Sequence, residues 1–429
     1  MTAYREGWLA VQAGAPPERP TRSGEAHQER SGTVSALSPM DGGGTRAAMN
    51  PGETMAGTAG TPERFERTAL VLQGGGALGA FHQGVFERLA EAGFEFDWLA
   101  GTSIGAIQAA ILAGNPPEHR VEALEAFWDR ITWPQPLPAP PPEHPWRKPV
   151  NLASAMGTML FGQPGFFTPR PGGAWWSPLL AGEVGHYDLA GLEATLTDLI
   201  DFDRLNDGPI RLSLGAVEVE TGRQVYFDNR ERRLDLRHVM ASGALPPAFP
   251  AVEIDGYSYW DGGLMSNTPL DAILDADPRR DTLCFLVDLF DPAGRTPEDL
   301  DQLEDRRKDI IYASRSRAQV AHHQQLHALR RAVGELYRAL PPERREDPAL
   351  AALARLGCTT RMCLVHLIYR GQAYRSWAKD FTFLPQTLAD HRRCGRLDAE
   401  LMLADRPWEA PMPEHEGVVL YEVDNQKAV

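Results

Sequence analysis

Thr68-Ala-Leu-Val-Leu-Gln-Gly-Gly-Gly-Ala-Leu-Gly79 is the stretch whose reading decides the fold. Thr68 to Gln73 reads as a short buried strand and Gly74 to Gly79 as a glycine loop. Ala80 to Ala92 then reads as a helix, with Val85, Phe86 and Leu89 on its apolar side and Gly93 as its stop. The pattern repeats at once. Phe96 to Ala100 is a second short apolar segment, Gly101-Thr-Ser-Ile-Gly105 a second glycine turn, and Ala106 to Ala113 a second apolar helix. Strand, loop and helix twice in succession predict an α/β domain on a parallel sheet.

Working outward, residues 1–66 mix small, proline and charged residues without an apolar period, which predicts a disordered tail. Residues 133–182 are dense in proline, glycine and aromatics and hold Trp133, Trp146, Trp175 and Trp176, beside Phe161, Phe166 and Phe167. They read as a loop-rich insertion: a lid over substrate, a contact with a bilayer, or a surface packed on the domain. The α/β pattern resumes with a helix over Tyr187 to Ile200, a strand pair Ile210 to Glu218 and Arg223 to Asp228, and a buried strand Leu283 to Leu289. After Pro292 the character changes to long charged amphipathic helices, Pro297 to Leu340 and Pro385 to Ala404. Between them, Cys363 to Tyr369 reads equally as a strand or a buried helical turn. The expected domains are therefore a tail (1–66), a catalytic α/β domain (67–292) and a mainly helical C-terminal extension (293–429).

The 429 residues are 43% hydrophobic and 24% charged, an ordinary globular composition. A net charge of −15 argues against a nucleic-acid binder. It also disfavours attraction to anionic lipid, although Arg147 and Lys148 soften that locally. No apolar run approaches the ~18–20 residues of a membrane-spanning helix, and no secretory signal is visible. A cytoplasmic location follows as an expectation, with peripheral membrane contact left open and no feature specifying an oligomeric state. Cys284, Cys358, Cys363 and Cys394 make no disulfide framework and read as reduced thiols. The spacing of Cys358, Cys363 and His366 fits no common zinc pattern, so neither metal nor other cofactor is expected.

Gly101-Thr-Ser103-Ile-Gly105 matches the nucleophile-elbow pattern G-x-S-x-G in the required strand-to-helix context. The turn is so tight that its flanking positions, Gly101 and Gly105, tolerate almost no side chain. The serine hydroxyl is thereby exposed at a helix N-terminus, where amides and the dipole favour negative charge. The first loop also satisfies a dinucleotide fingerprint through Gly74, Gly76 and Gly79, with Glu95 or Asp97 as the ribose acid. That rival makes the elbow a coincidence. Amides of Gly74, Gly75 and Gly76 serving as an oxyanion hole for Ser103 explain both loops together. A base for the serine has several candidates. His238, His322, His323, His366 and His391 are the histidine choices, and Asp261, opening the Asp261-Gly-Gly263 turn after a probable strand, is the carboxylate choice.

The glycine loop 74–79, the elbow around Ser103 and the Asp261-Gly-Gly263 turn occur in the order found in the patatin-like phospholipases, and the chain resembles that family. Ala241-Ser-Gly-Ala-Leu-Pro-Pro-Ala-Phe-Pro250 and Asn267-Thr-Pro269 add to the likeness, which covers Thr68 to Asp291. The resemblance implies a three-layer α/β/α fold with a helical extension of the kind some bacterial members carry. It also implies a serine acyl hydrolase that uses a Ser103–Asp261 dyad without histidine, needs no metal and acts on a lipid or other acyl ester. One departure is Leu78, where many members carry a basic residue in the glycine loop.

Overall fold

The short apolar runs pair into one mixed sheet. The computed structural model describes residues 62 and 64–423, apart from 135–137, 171–183, 277, 314–315, 372–373 and 414–415. The strands are β1 (Arg67–Leu72), β2 (Trp98–Thr102), β3 (Arg211–Glu218), β4 (Arg223–Asp228), β5 (Val252–Ile254), β6 (Tyr257–Asp261), β7 (Thr282–Asp288), β8 (Met362–Ile368) and β9 (Val418–Glu422). Their spatial order is β9-β8-β7-β1-β2-β3-β6-β5, and β4 pairs with β3 as the antiparallel arm of a hairpin. Neighbours from β9 through β3 all run parallel, the arrangement that needs crossover connections and covered faces.

The helices that position the site are α1 (Ala80–Glu91), α2 (Ile104–Ala113), α3 (Arg147–Phe161), α4 (Leu236–Ser242), α5 (Leu300–Tyr312), α6 (Ser316–Ala339) and α7 (Pro385–Asp405). Side-chain alternation along the strands divides the core between two faces. Leu70, Leu72, Phe285 and Val365 enter a large cluster with Phe81 of α1, Ile107 of α2 and Met402 of α7. Ala69, Val71, Leu286 and Leu364 enter a smaller one with Ile273 and with Val320 of α6. Helices on both faces of one sheet make the expected three layers. Every residue of α2 is buried, which accounts for its nearly uninterrupted apolar sequence.

The C-terminal region is helical, and it also extends the sheet. Thr282 to Asp288 is buried along its whole length, so β7 would be an exposed apolar edge if the sheet stopped there. β8 and β9 cover that edge, which resolves Cys363 to Tyr369 as mainly strand. Residues 57–429 accordingly form one compact unit. α7 crosses α1 so closely that a Cβ on Gly84 would lie 1.9 Å from the Arg392 carbonyl oxygen. Glu87 accepts from Arg392 and Arg396 beside the crossing.

Two local expectations are corrected. The segment 133–182 is not simply loop: α3 fills fifteen of its residues, and 171–183, with Trp175 and Trp176, lie outside the described residues. Proline and glycine density concealed this helix, because Pro149 sits in its first turn, where a missing N–H costs nothing. Tyr187 and Asp188 form a short strand against Thr168–Pro169, and the following helix starts at Ala190. Of the tail, only 62 and 64–66 are described, and Phe65 is buried in the larger core.

Candidate active site

Strand β3 is the ruler that brings the site together. Thr102, the last residue of β2, registers on Gly215, and Asp261, the last residue of β6, registers on Ala216. β2 runs parallel and β6 antiparallel to β3, so two distant segments of chain end at the same level on either side of that strand. The turn from β2 into α2 holds Ser103 at φ 56° and ψ −125°, a conformation non-glycine residues rarely adopt. A Cβ on Gly105 would lie 2.2 Å from the Leu72 carbonyl oxygen, and one on Gly101 would lie 2.4 Å from that of Gly105. Glycine at both positions is thus a steric requirement of the turn.

Ser242, the last residue of α4, stabilises the strained backbone. The Ser103 N–H donates to the Ser242 carbonyl at 3.0 Å and lies 3.2 Å from its hydroxyl, which itself donates to Gly215 O at 2.6 Å. Ser103 and Asp261 line one common cavity, and the serine hydroxyl acts on the Asp261 carboxylate. Asp261 is 2% exposed. Burial pushes its pKa up to about 6, against the opposing pull of the Gly263 N–H and the Ser103 hydroxyl. The Gly263 N–H donates to Oδ1 at 2.7 Å. No cation enters this balance among the described residues. The carboxyl is consequently a stronger base than a solvated aspartate, and it ionises just below neutrality.

The glycine loop faces the same point, with one correction. The Gly74 N–H already donates to the Asn267 carbonyl at 3.1 Å, so it is not free for a ligand. Among the described residues, the Gly75 and Gly76 amides have no acceptor within the protein. The Asn267 side chain returns the contact, donating to Gly74 O at 3.0 Å and to Tyr312 O at 3.2 Å. Beneath the loop, Gln73 donates to Thr268, Thr268 donates to Asp288, and Asp288 contacts His366 at 2.8 Å. This buried polar chain ties the loop to β7 and β8. The sequence marked Asn267 only as part of a likeness, since its partners lie far away in the chain.

An apolar cavity opens over Ser103 and Asp261, walled by Phe166, Phe167, Leu192, Phe249, Phe381 and Phe383. Tyr312, Asp380 and the last two phenylalanines come from the C-terminal region. No lysine, arginine or histidine lines it among the described residues. Four of the five histidine candidates are engaged elsewhere, and His322 is exposed on α6, outside the cavity lining. His238 caps α4 through Asp235, His366 pairs with Asp288, His391 contacts Tyr369 at 2.9 Å, and His323 faces Asp271. The dinucleotide reading loses its acid as well, because Asp97 accepts from the Thr68 N–H at the opposite end of β1 from the loop. Cys363 and His366 project from opposite faces of β8.

A sequence profile of the patatin-like phospholipases matches residues 70–274, and a second, described as patatin phospholipase, matches residues 310–415. The chain belongs to the patatin-like phospholipase family. A patatin-like phospholipase domain-containing protein of Caenorhabditis elegans is 26% identical over 205 residues, covering 48% of this chain and 12% of that protein. A cGAMP-activated phospholipase of Pseudomonas aeruginosa is 26% identical over 215 residues, 47% of this chain and 53% of that one. A lysophospholipase of Candida glabrata is 26% identical over 229 residues, 53% of this chain and 11% of that one. The chain thus spans about half the length, or much less, of these relatives. The first patatin profile ends before β7, so the cavity wall supplied by Tyr312, Asp380, Phe381 and Phe383 falls within the second.

Proposed function

We propose that this patatin-like protein hydrolyses lipid acyl esters through a Ser103–Asp261 dyad. The observation that carries the reading is a serine on a strained backbone turn sharing one apolar cavity with a buried aspartate. Ser103 Oγ attacks the ester carbonyl carbon while its proton passes to an Asp261 carboxylate oxygen. The oxyanion is held by the free amides of Gly75 and Gly76, with the Ile104 N–H at the α2 N-terminus as a third donor, each worth a few kcal/mol. Collapse breaks the bond to the alcohol oxygen, which leaves with the proton from Asp261. Water then attacks the acyl-enzyme, gives its proton to Asp261, and the serine is restored as the acid departs.

The cavity favours an acyl chain, since its walls are aromatic and aliphatic. With no cation there and Leu78 in the glycine loop, recognition rests on the acyl chain and carbonyl and not on a phosphate. A fluorophosphonate probe and a soluble nitrophenyl ester test the chemistry. Wild type is expected to label and turn over, and Ser103→Ala to do neither. Labelling that survives Ser103→Ala would remove the assignment.

A further inference from the structure

The polarity of α3 is inverted. Its buried face is formed by Arg147, Asn151, Ala155 and Thr158. The outward face carries Trp146, just before the helix, then Pro149, Ala153, Met156 and Leu160, recurring at helical spacing, with Phe161 at its end. Exposures of 65% for Trp146, 43% for Met156, 63% for Leu160 and 73% for Phe161 are the reverse of what a surface helix of a water-facing protein shows. The polar side does have partners. Arg147 pairs with Asp390 of α7 at 2.8 Å and donates to Thr387 at 3.1 Å, while Thr158 bonds Gln163 at 3.1 Å. These bonds fix which face is turned outward.

We infer that the outward face of α3 is a docking surface for a zwitterionic lipid layer, entered by hydrophobic insertion. The inference rests on the reading of the adjoining site as a lipid hydrolase. Two observations choose this occupant. First, the face is uncharged in a chain of net charge −15: α3 contains no acidic residue, Arg147 is buried, and Lys148 is paired with Asp301 at 2.7 Å. It therefore complements neutral lipid, whereas an anionic surface would repel the rest of the molecule. Second, the face adjoins the wall of the acyl cavity. The Tyr187 hydroxyl donates to the Met159 carbonyl at 2.7 Å, and its ring packs 4.7 Å from that of Phe167, which lines the cavity. One layer of side chains separates the proposed lipid surface from the cavity wall. Leu300 of α5, 80% exposed, continues the apolar surface beside Pro149.

The test uses the full chain carrying Ser103→Ala, so that binding is read without hydrolysis. Flotation with phosphatidylcholine vesicles is compared with the same protein bearing Met156→Ser, Leu160→Ser and Phe161→Ser together. The triple change is expected to lower vesicle partitioning at least tenfold. Partitioning of the unchanged face should be insensitive to salt between 0.1 and 0.5 M, because it is not electrostatic. With Ser103 intact, the triple variant is expected to hydrolyse a soluble nitrophenyl ester at the wild-type rate. That arm separates loss of docking from loss of fold, and vesicle binding stands or falls independently of the dyad. Three results would overturn the inference. They are equal flotation of both proteins, absence of flotation with amide exchange over 147–161 showing the face covered within the chain, and a dimer in solution that the triple change converts to monomer.

Discussion

Two buried aspartates, at the end of β6 and at the α3–α7 junction, show how context divides one residue type into two roles. Asp261 ends β6 with no cation beside it among the described residues, and burial raises its pKa to about 6. Asp390 of α7 is also buried, but Arg147 and Arg393 reach it at 2.8 and 2.9 Å, and the Tyr374 hydroxyl donates at 3.2 Å. A carboxylate surrounded by cations has its charge spent on structure. A carboxylate left with one amide and one serine hydroxyl is poised to take a proton. The difference lies in the neighbours and not in the degree of burial.

Removing the carboxylate at the two places is expected to break the comparison most strongly in activity. Asp261→Asn should lower ester hydrolysis on the order of 10³–10⁴-fold, measured as kcat/KM, while leaving the fold intact. At the other site, Asp390→Ala should cost about 3–5 kcal/mol of stability in urea unfolding. It strands the Arg147 guanidinium, which is 1% exposed. Hydrolysis per folded molecule by that variant should stay near wild type.

The pH profile sharpens the contrast further. In the proposed dyad hydrolysis requires ionised Asp261, so log kcat/KM should rise with unit slope below pH about 6 and level above it. The stability consequence has the opposite sign. The folded pKa lies above the unfolded value of 3.8, so the folded state holds the extra proton between about pH 4 and 6. Stability therefore falls as pH rises through that window, by about 2–3 kcal/mol. Asp261→Asn should remove this loss and raise Tm at pH 8, making the inactive protein the more stable one. The smallest effect is expected at Ser242. Ser242→Ala removes one hydroxyl but keeps the carbonyl that holds the Ser103 N–H, and should cost about 1 kcal/mol, read as a several-fold fall in kcat.

Much of the site was legible because its constraints are local. Gly101, Gly105 and Ser103 declare themselves through a turn that leaves no room for side chains, and Asp261 through the glycine turn that follows it. The glycine loop 74–79 was legible as a loop, but not the commitment of the Gly74 amide, whose acceptor is the Asn267 carbonyl. Tyr312, Asp380, Phe381 and Phe383 were invisible as cavity residues, since nothing in a charged helix or its flanks signals what it will face. The helix α3 was hidden by the prolines in and before its first turn and by an apolar stripe pointing the wrong way for a soluble helix.

By itself the sequence determined the repeated strand–loop–helix frame, the elbow and the aspartate turn, because each is set by backbone sterics over a few residues. Tertiary structure alone decided that Thr102 and Asp261 register on consecutive residues of β3, and that β8 and β9 close the exposed edge of β7. It also decided that Asp261 would be desolvated without a cation while Asp390 would not. The reason is physical: strand register, edge coverage and local dielectric depend on contacts between segments distant in the chain.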